Sequence, residues 1–151
     1  MPSTTARQCV LNFLDGFYAG DVAKVENCCA DAFTTLTYAP VEIFPNHGLK
    51  QGKAWIKEAI RIQQERYSRR SYKLRFIAAD GLRVACMTDV SVTKRNDQRV
   101  LHFVVGDFFT LSSGRVIEHR AFFDSFDLLE QMLGQDLTGP FADSLKTAFR
   151  Q

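Results

Sequence analysis

Ser71–Asp124 reads SYKLRFIAADGLRVACMTDVSVTKRNDQRVLHFVVGDFFTLSSGRVIEHRAFFD. Four runs in it, Ser71–Ala79, Leu82–Thr93, Arg99–Leu111 and Arg115–Phe123, alternate with period two and are rich in β-branched and aromatic residues. AlaAspGly, ArgAsnAspGln and SerSerGly separate them, and connections this short force consecutive strands to run antiparallel. The stretch is therefore expected to form a four-strand meander.

Upstream the period changes to that of a helix. From Thr5 to Ala19, Val10, Leu11, Phe13, Leu14, Phe17 and Tyr18 form one apolar stripe, which Gly20 ends. Asp21 suits the N-cap of a shorter helix running through Val25 to Cys29, and Phe33–Tyr38 (FTTLTY) reads as a strand. Ala39–Gln51 carries Pro40, Pro45, Asn46 and Gly48 and is expected to be a loop forming one wall of a mouth. After Gly52, Lys53–Arg70 (KAWIKEAIRIQQERYSRR) sets Trp55, Ile56, Ala59, Ile60 and Ile62 on one side of a third helix. Beyond the meander, Asp124 or Ser125 can cap a helix through Leu133. Gly134–Pro140 then breaks the pattern before a terminal helical piece, Phe141–Phe149. Helices gathered early and strands gathered late predict an α+β fold in which a curved antiparallel sheet wraps three N-terminal helices. Strands and helices do not alternate and no Gly-rich loop follows a strand, which excludes a doubly wound nucleotide-binding fold.

The 151 residues suit a single domain, 1–151, and 46% hydrophobic with 24% charged residues excludes a disordered or fibrous chain. A formal charge of +2, with only Arg66, Arg69, Arg70, Lys73 and Arg75 clustered, argues against a nucleic-acid partner; the cluster reads as a solvated helix end. No apolar run nears the roughly 18 residues that span a bilayer, and MPSTTARQCVLNF lacks a leader's apolar stretch, so no membrane partner and a cytoplasmic location are expected. Cys9, Cys28, Cys29 and Cys86 lack metal-site spacing and read as buried apolar side chains; no metal or cofactor is expected.

The element order, with GlyAsp at Gly20–Asp21, AlaAsp at Ala30–Asp31, QGKAWI at Gln51–Ile56 and SGRVIEHRAFFD at Ser113–Asp124, resembles the cone-shaped, cystatin-like α+β barrel superfamily. That superfamily includes nuclear transport factor two, ketosteroid isomerase, scytalone dehydratase, limonene epoxide hydrolase and the SnoaL-type polyketide cyclases. The resemblance covers roughly Ala6–Leu133 and implies a cone-shaped cavity and small-molecule chemistry, although fold alone does not name a reaction. The helix Tyr of ketosteroid isomerase falls on Phe13, its base near Leu36 or Thr37, and its oxyanion Asp near Gly106, so that mechanism is not carried over. Of the limonene epoxide hydrolase triad, one Asp falls on Ala121 and the Arg near Met87, while Asp89 stands about where the second Asp belongs.

Alternation along the last strand sets Ile117, His119, Ala121 and Phe123 on one face and Val116, Glu118, Arg120 and Phe122 on the other. The resemblance implies that the first face looks into the cone. An imidazole titrates near pH 6.5 in water, which suits His119 to move protons. Its orienting partner is Asp89 or Asp107: pairing Thr110 with Arg115 would set Gly106 opposite His119, and pairing Thr110 with Val116 would set Asp107 there. His102, Tyr38, Trp55, Phe13, Phe17, Met87, Gly106, Phe108, Ala121 and Phe123 complete the expected pocket. The adjacent pairs Phe108, Phe109 and Phe122, Phe123 put large apolar side chains on both sheet faces, and in this superfamily the outer face commonly meets a second subunit, hence an expected homodimer. Two readings result. One is a cofactor-free cyclase, isomerase, dehydratase or hydrolase of small apolar molecules; the other is a non-catalytic ligand-binding or dimerisation module.

Overall fold

The computed structural model describes residues 5–150. Helix α1 (Ala6–Ala19) starts where Thr5 accepts a hydrogen bond from the Gln8 amide, and it stops at Gly20, which takes the left-handed φ of 76°. Asp21 caps α2 (Val22–Asn27) by accepting from the Lys24 amide. Strands β1 (Cys29–Tyr38) and β2 (Gly48–Gln51) precede helix α3 (Ala54–Arg66). The meander follows as β3 (Tyr67–Asp80), β4 (Arg83–Lys94), β5 (Val100–Ser112) and β6 (Arg115–Phe123), then helices α4 (Ser125–Leu133) and α5 (Thr138–Ala148). Asp124 caps α4 by accepting from the Asp127 amide.

The six strands form one curved, unclosed sheet in the order β2-β1-β6-β5-β4-β3. All neighbours are antiparallel except β1 and β6, which run parallel. Irregularities in β3–β4, in β1–β6 and at Thr110/Leu111 in β5–β6 add local twist and bend the sheet around the helices. In the concave side, Cys9, Val10, Phe13 and Leu14 of α1 pack on Val84, Cys86, Phe109, Leu111 and Val116. A second cluster, with Phe44, Val90, Val92, Leu101, Val105 and Ala121, is closed by Leu128 of α4. The four cysteines are free and buried, and burial pushes the thiols of Cys29 and Cys86 up to about 12. Among the described residues no helix is long and apolar enough to cross a membrane.

Several boundaries differ from the sequence reading: α2 stops at Asn27 rather than Cys29, and α5 starts at Thr138, taking in Gly139 and Pro140, rather than at Phe141. The third helix ends at Arg66, and Tyr67–Arg70 open β3 by pairing with Lys94, Thr93 and Val92. The basic cluster therefore lies mostly along a strand rather than at a helix end. Gly48–Gln51 is a strand paired with Thr34–Thr37, not loop. The first strand begins at Cys29, four residues before Phe33.

The β5–β6 register is neither of the two expected. Asp107 stands opposite Ala121 and Phe109 opposite His119, while the irregularity at Thr110/Leu111 brings Val116 onto the buried face beside Leu111. Val116 is thus inward, contrary to simple alternation. Even-numbered β5 residues point outward, so His102 is exposed, Gly106 faces away and Phe108 is exposed. Met87 and Asp89, opposite Gly106 and Val104, share that outer face. Tyr38 is also outside, stacked on Phe122 with ring centroids 4.2 Å apart. These six residues, Asp89, His102, Tyr38, Met87, Gly106 and Phe108, do not line the interior, because the observed register settles which parity faces the helices.

Candidate active site

A cavity of about 150 Å³ opens between α1, α3, β1 and β2 and reaches His119 and Asp107 of the inner sheet face. Phe13 and Phe17 of α1, Trp55 of α3 and Phe33 of β1 supply apolar wall, while Thr35, Thr37, Lys50, Gln63 and Arg66 supply polar atoms. That mixture suits a small organic ligand.

His119 is held on all sides. Its Nε2 lies 2.7 Å from Asp107 Oδ1 and its Nδ1 lies 2.8 Å from Thr35 Oγ1. A carboxylate can only accept, so Nε2 carries a proton, and in the neutral ring Nδ1 then accepts from the Thr35 hydroxyl. The ring lies 4.7 Å from the Phe109 centroid and 5.5 Å from that of Phe13. Both members of the pair are sheltered, with side-chain exposures of 11% for His119 and 7% for Asp107. The sheet explains the assembly. Thr35 is the direct neighbour of His119 across the parallel β1–β6 pair, and Asp107 is its diagonal neighbour on the same face of β5.

A family model described as a SnoaL-like domain matches residues 10–119. The chain belongs to the SnoaL-like family. No curated protein matches the chain. Solved structures share the fold. A candidate isomerase from Rhodopseudomonas palustris is 24% identical, with 89% of this chain and 100% of that one covered and a TM-score of 0.76. A candidate SnoaL-like polyketide cyclase from Jannaschia sp. CCS1 is 15% identical over 90% and 97% of the two chains, with a TM-score of 0.75. An LEH-like epoxide hydrolase of M. tuberculosis is 22% identical over 88% and 92%, with a TM-score of 0.67.

In this SnoaL-like chain the structure gathers His119, Asp107, Phe13, Phe17 and Trp55 around the cavity. Ala121 and Phe123 face inward as well, but pack in the second core cluster. Asp89 is outside, its carboxylate accepting two hydrogen bonds from Arg75 Nε at 2.8 and 2.9 Å, and this bonding holds it below the usual carboxylate range. It cannot orient His119.

Sequence reasoning missed Thr35, Lys50 and Arg66. Thr35 and Lys50 are opposite each other on β1 and β2, so His119, Thr35 and Lys50 form one row across three strands. Alternation in FTTLTY and GLKQ was the available signal, but the parallel pairing that joins positions 84 apart was not visible. His47 also borders the cavity, stacked on Phe44 at 5.2 Å. Burial, with Arg66 nearby, lowers its imidazole to about 4 and keeps it neutral. Among the described residues no group of three or more His, Cys, Asp or Glu is placed to hold a metal ion.

Proposed function

We propose that this protein, read as one SnoaL-like domain over residues 1–151, is a cofactor-free acid/base enzyme acting on a small, largely apolar organic molecule. The carrying observation is an imidazole held between Asp107 and Thr35 at the inner end of an aromatic-walled cavity. The Nδ1 lone pair faces Thr35, whose hydroxyl can turn to another acceptor when substrate arrives. His119 then takes a proton at Nδ1, and Asp107 stabilises the resulting imidazolium through the bond at Nε2. Return of that proton to another atom of the substrate completes an isomerisation, cyclisation or dehydration; where the proton is taken from a bound water instead, the hydroxide adds to the substrate, the bond to the leaving group breaks, and return of the proton to the leaving group completes a hydrolysis. Such steps ask only for a positioned base in a site sheltered from bulk water. The four free, buried thiols support a reducing, cytoplasmic setting.

The test follows the proton. In deuterium oxide, the wild-type protein is expected to exchange hydrogens α to the carbonyl in at least one member of a panel of cyclic ketones and β-diketones, and His119→Ala to return that exchange to the protein-free rate. Exchange that survives His119→Ala overturns the assignment. A second reading, a binding module without turnover, is favoured by one observation: both ring nitrogens are already bonded to protein side chains. It predicts ligand uptake with no exchange anywhere in the panel.

The outer sheet face carries Tyr38, Phe122 and Phe108, with Phe122 stacked on Tyr38 and edge-to-face with Phe108 at 5.7 Å. An exposed aromatic stripe of this kind supports a homodimer through that face. Sedimentation is expected to give a dimer for the wild type and a monomer for Phe122→Lys; a wild-type monomer at micromolar concentration refutes this assembly.

A further inference from the structure

Resting on the reading of the cavity as a ligand site, we propose that Lys50 makes it selective for ring compounds bearing an oxyanion, a carboxylate or phenolate, set beside Thr35 and His119.

Three observations carry this. First, Lys50 is the cross-strand partner of Thr35, and directly opposed side chains in an antiparallel pair have Cβ atoms roughly 5 Å apart on one face. The lysine therefore stands next to the hydroxyl that holds His119. Second, its ammonium is 4.9 Å from the centroid of the Trp55 ring, which itself lines the cavity, so the charge is aimed over the aromatic wall. Third, the charge is uncompensated. Among the described residues neither Lys50 nor Arg66, the other cation on the lining, has a carboxylate within ion-pair distance. Among the described residues Asp107 is the sole acidic side chain on the wall, and its Oδ1 is engaged by His119.

A lysine on a half-buried strand position without a counterion favours a ligand that brings one, because charge-assisted hydrogen bonds strengthen where water is thinned. Arg66, exposed at the mouth, extends the positive potential outward and favours entry of an anion. The size of the space sets the body of the ligand. A cavity of about 150 Å³ has the volume that accepts a benzene ring in an engineered protein core, so a single ring fits inside and larger bodies project through the mouth. Phe13, Phe17 and Trp55 supply aromatic surface around that ring.

Benzoate and benzamide differ mainly in charge, and Trp55, the chain's one tryptophan, reports on the wall they would touch. Titration followed by Trp55 emission and by calorimetry is expected to give benzoate a Kd roughly tenfold below that of benzamide. Lys50→Met should raise the benzoate Kd to the benzamide value while leaving benzamide unchanged, Lys50→Arg should keep the preference, and thermal melts should show all three proteins folded. Equal binding of the two probes overturns the proposal, as does a preference that survives Lys50→Met or the lack of any benzoate binding at millimolar concentration. The α-deuterium exchange assay separates the two ideas. Exchange that depends on His119, without a benzoate preference, sinks the role of Lys50 and leaves the acid/base reading standing.

Discussion

Asp107→Asn is expected to lower kcat/KM for a proton-transfer substrate by about 10²–10⁴-fold while leaving the fold intact. The reason lies in the tautomer. Asp107 accepts from Nε2 and so leaves the Nδ1 lone pair toward Thr35 and the cavity. An Asn of the same shape can present its amide N–H to Nε2 instead, which moves the ring proton to Nδ1, where a donor replaces the base. It also removes the negative charge that stabilises imidazolium in a site where Asp107 is only 5% exposed. Because the replacement buries no new charge and changes almost no volume, circular dichroism and melting should change little. Asp107 and His119 act as one unit, so the double variant Asp107→Asn/His119→Ala should be no slower than His119→Ala alone. Steady-state kinetics across a pH series tests this. Turnover retained within a factor of about three in Asp107→Asn would reduce the carboxylate to a packing element, since general acid/base groups typically contribute far more.

Local signals and the order of the meander were legible, whereas its register and the pairings of β1 were not. Thr5, Asp21 and Asp124 act at helix starts through side-chain bonds to amides three residues on, a relation written within four residues of sequence. The meander was readable because turns separate its strands and period two persists along each. Helix α3 passes into β3 with no glycine or proline at the junction, so the continuing charged residues Arg69 and Arg70 looked like more helix. Strand β2 is only four residues long and follows two prolines, and it forms because β1 offers it an edge. The choice between Asp89 and Asp107 turned on parity. One displaced residue at Thr110/Leu111 reassigns every side chain beyond it, and no local propensity marks where a ladder slips. His119 itself was legible on the last strand, but its partner Thr35 comes from the other end of the chain through the parallel β1–β6 contact.

Phe109→Ala is expected to destabilise the protein by about 3–5 kcal/mol, the range for losing a large aromatic from a core. Phe109 is 2% exposed and stands opposite His119 in the ladder. Its ring meets Phe13 of α1 edge-on at 5.2 Å and the His119 imidazole at 4.7 Å. Deleting the ring therefore removes apolar burial, an aromatic contact between sheet and helix, and the flank that keeps the imidazole upright between Asp107 and Thr35. The surrounding β-sheet resists collapse into the void, because Val84 across the ladder belongs to β4, a central strand paired with β5 on one side and β3 on the other. For a domain of this length the loss corresponds to a fall in Tm on the order of 10 °C. Phe109→Leu keeps most of the volume and should cost less than half as much. The two variants also separate stability from chemistry: at a temperature where both are fully folded, Phe109→Ala should exchange substrate deuterium more slowly than Phe109→Leu, because only the larger side chain still braces the ring. Denaturant midpoints with an unchanged m-value give the first comparison, and equal midpoints for the two variants would show that the inner face is less tightly packed around His119 than its contacts indicate.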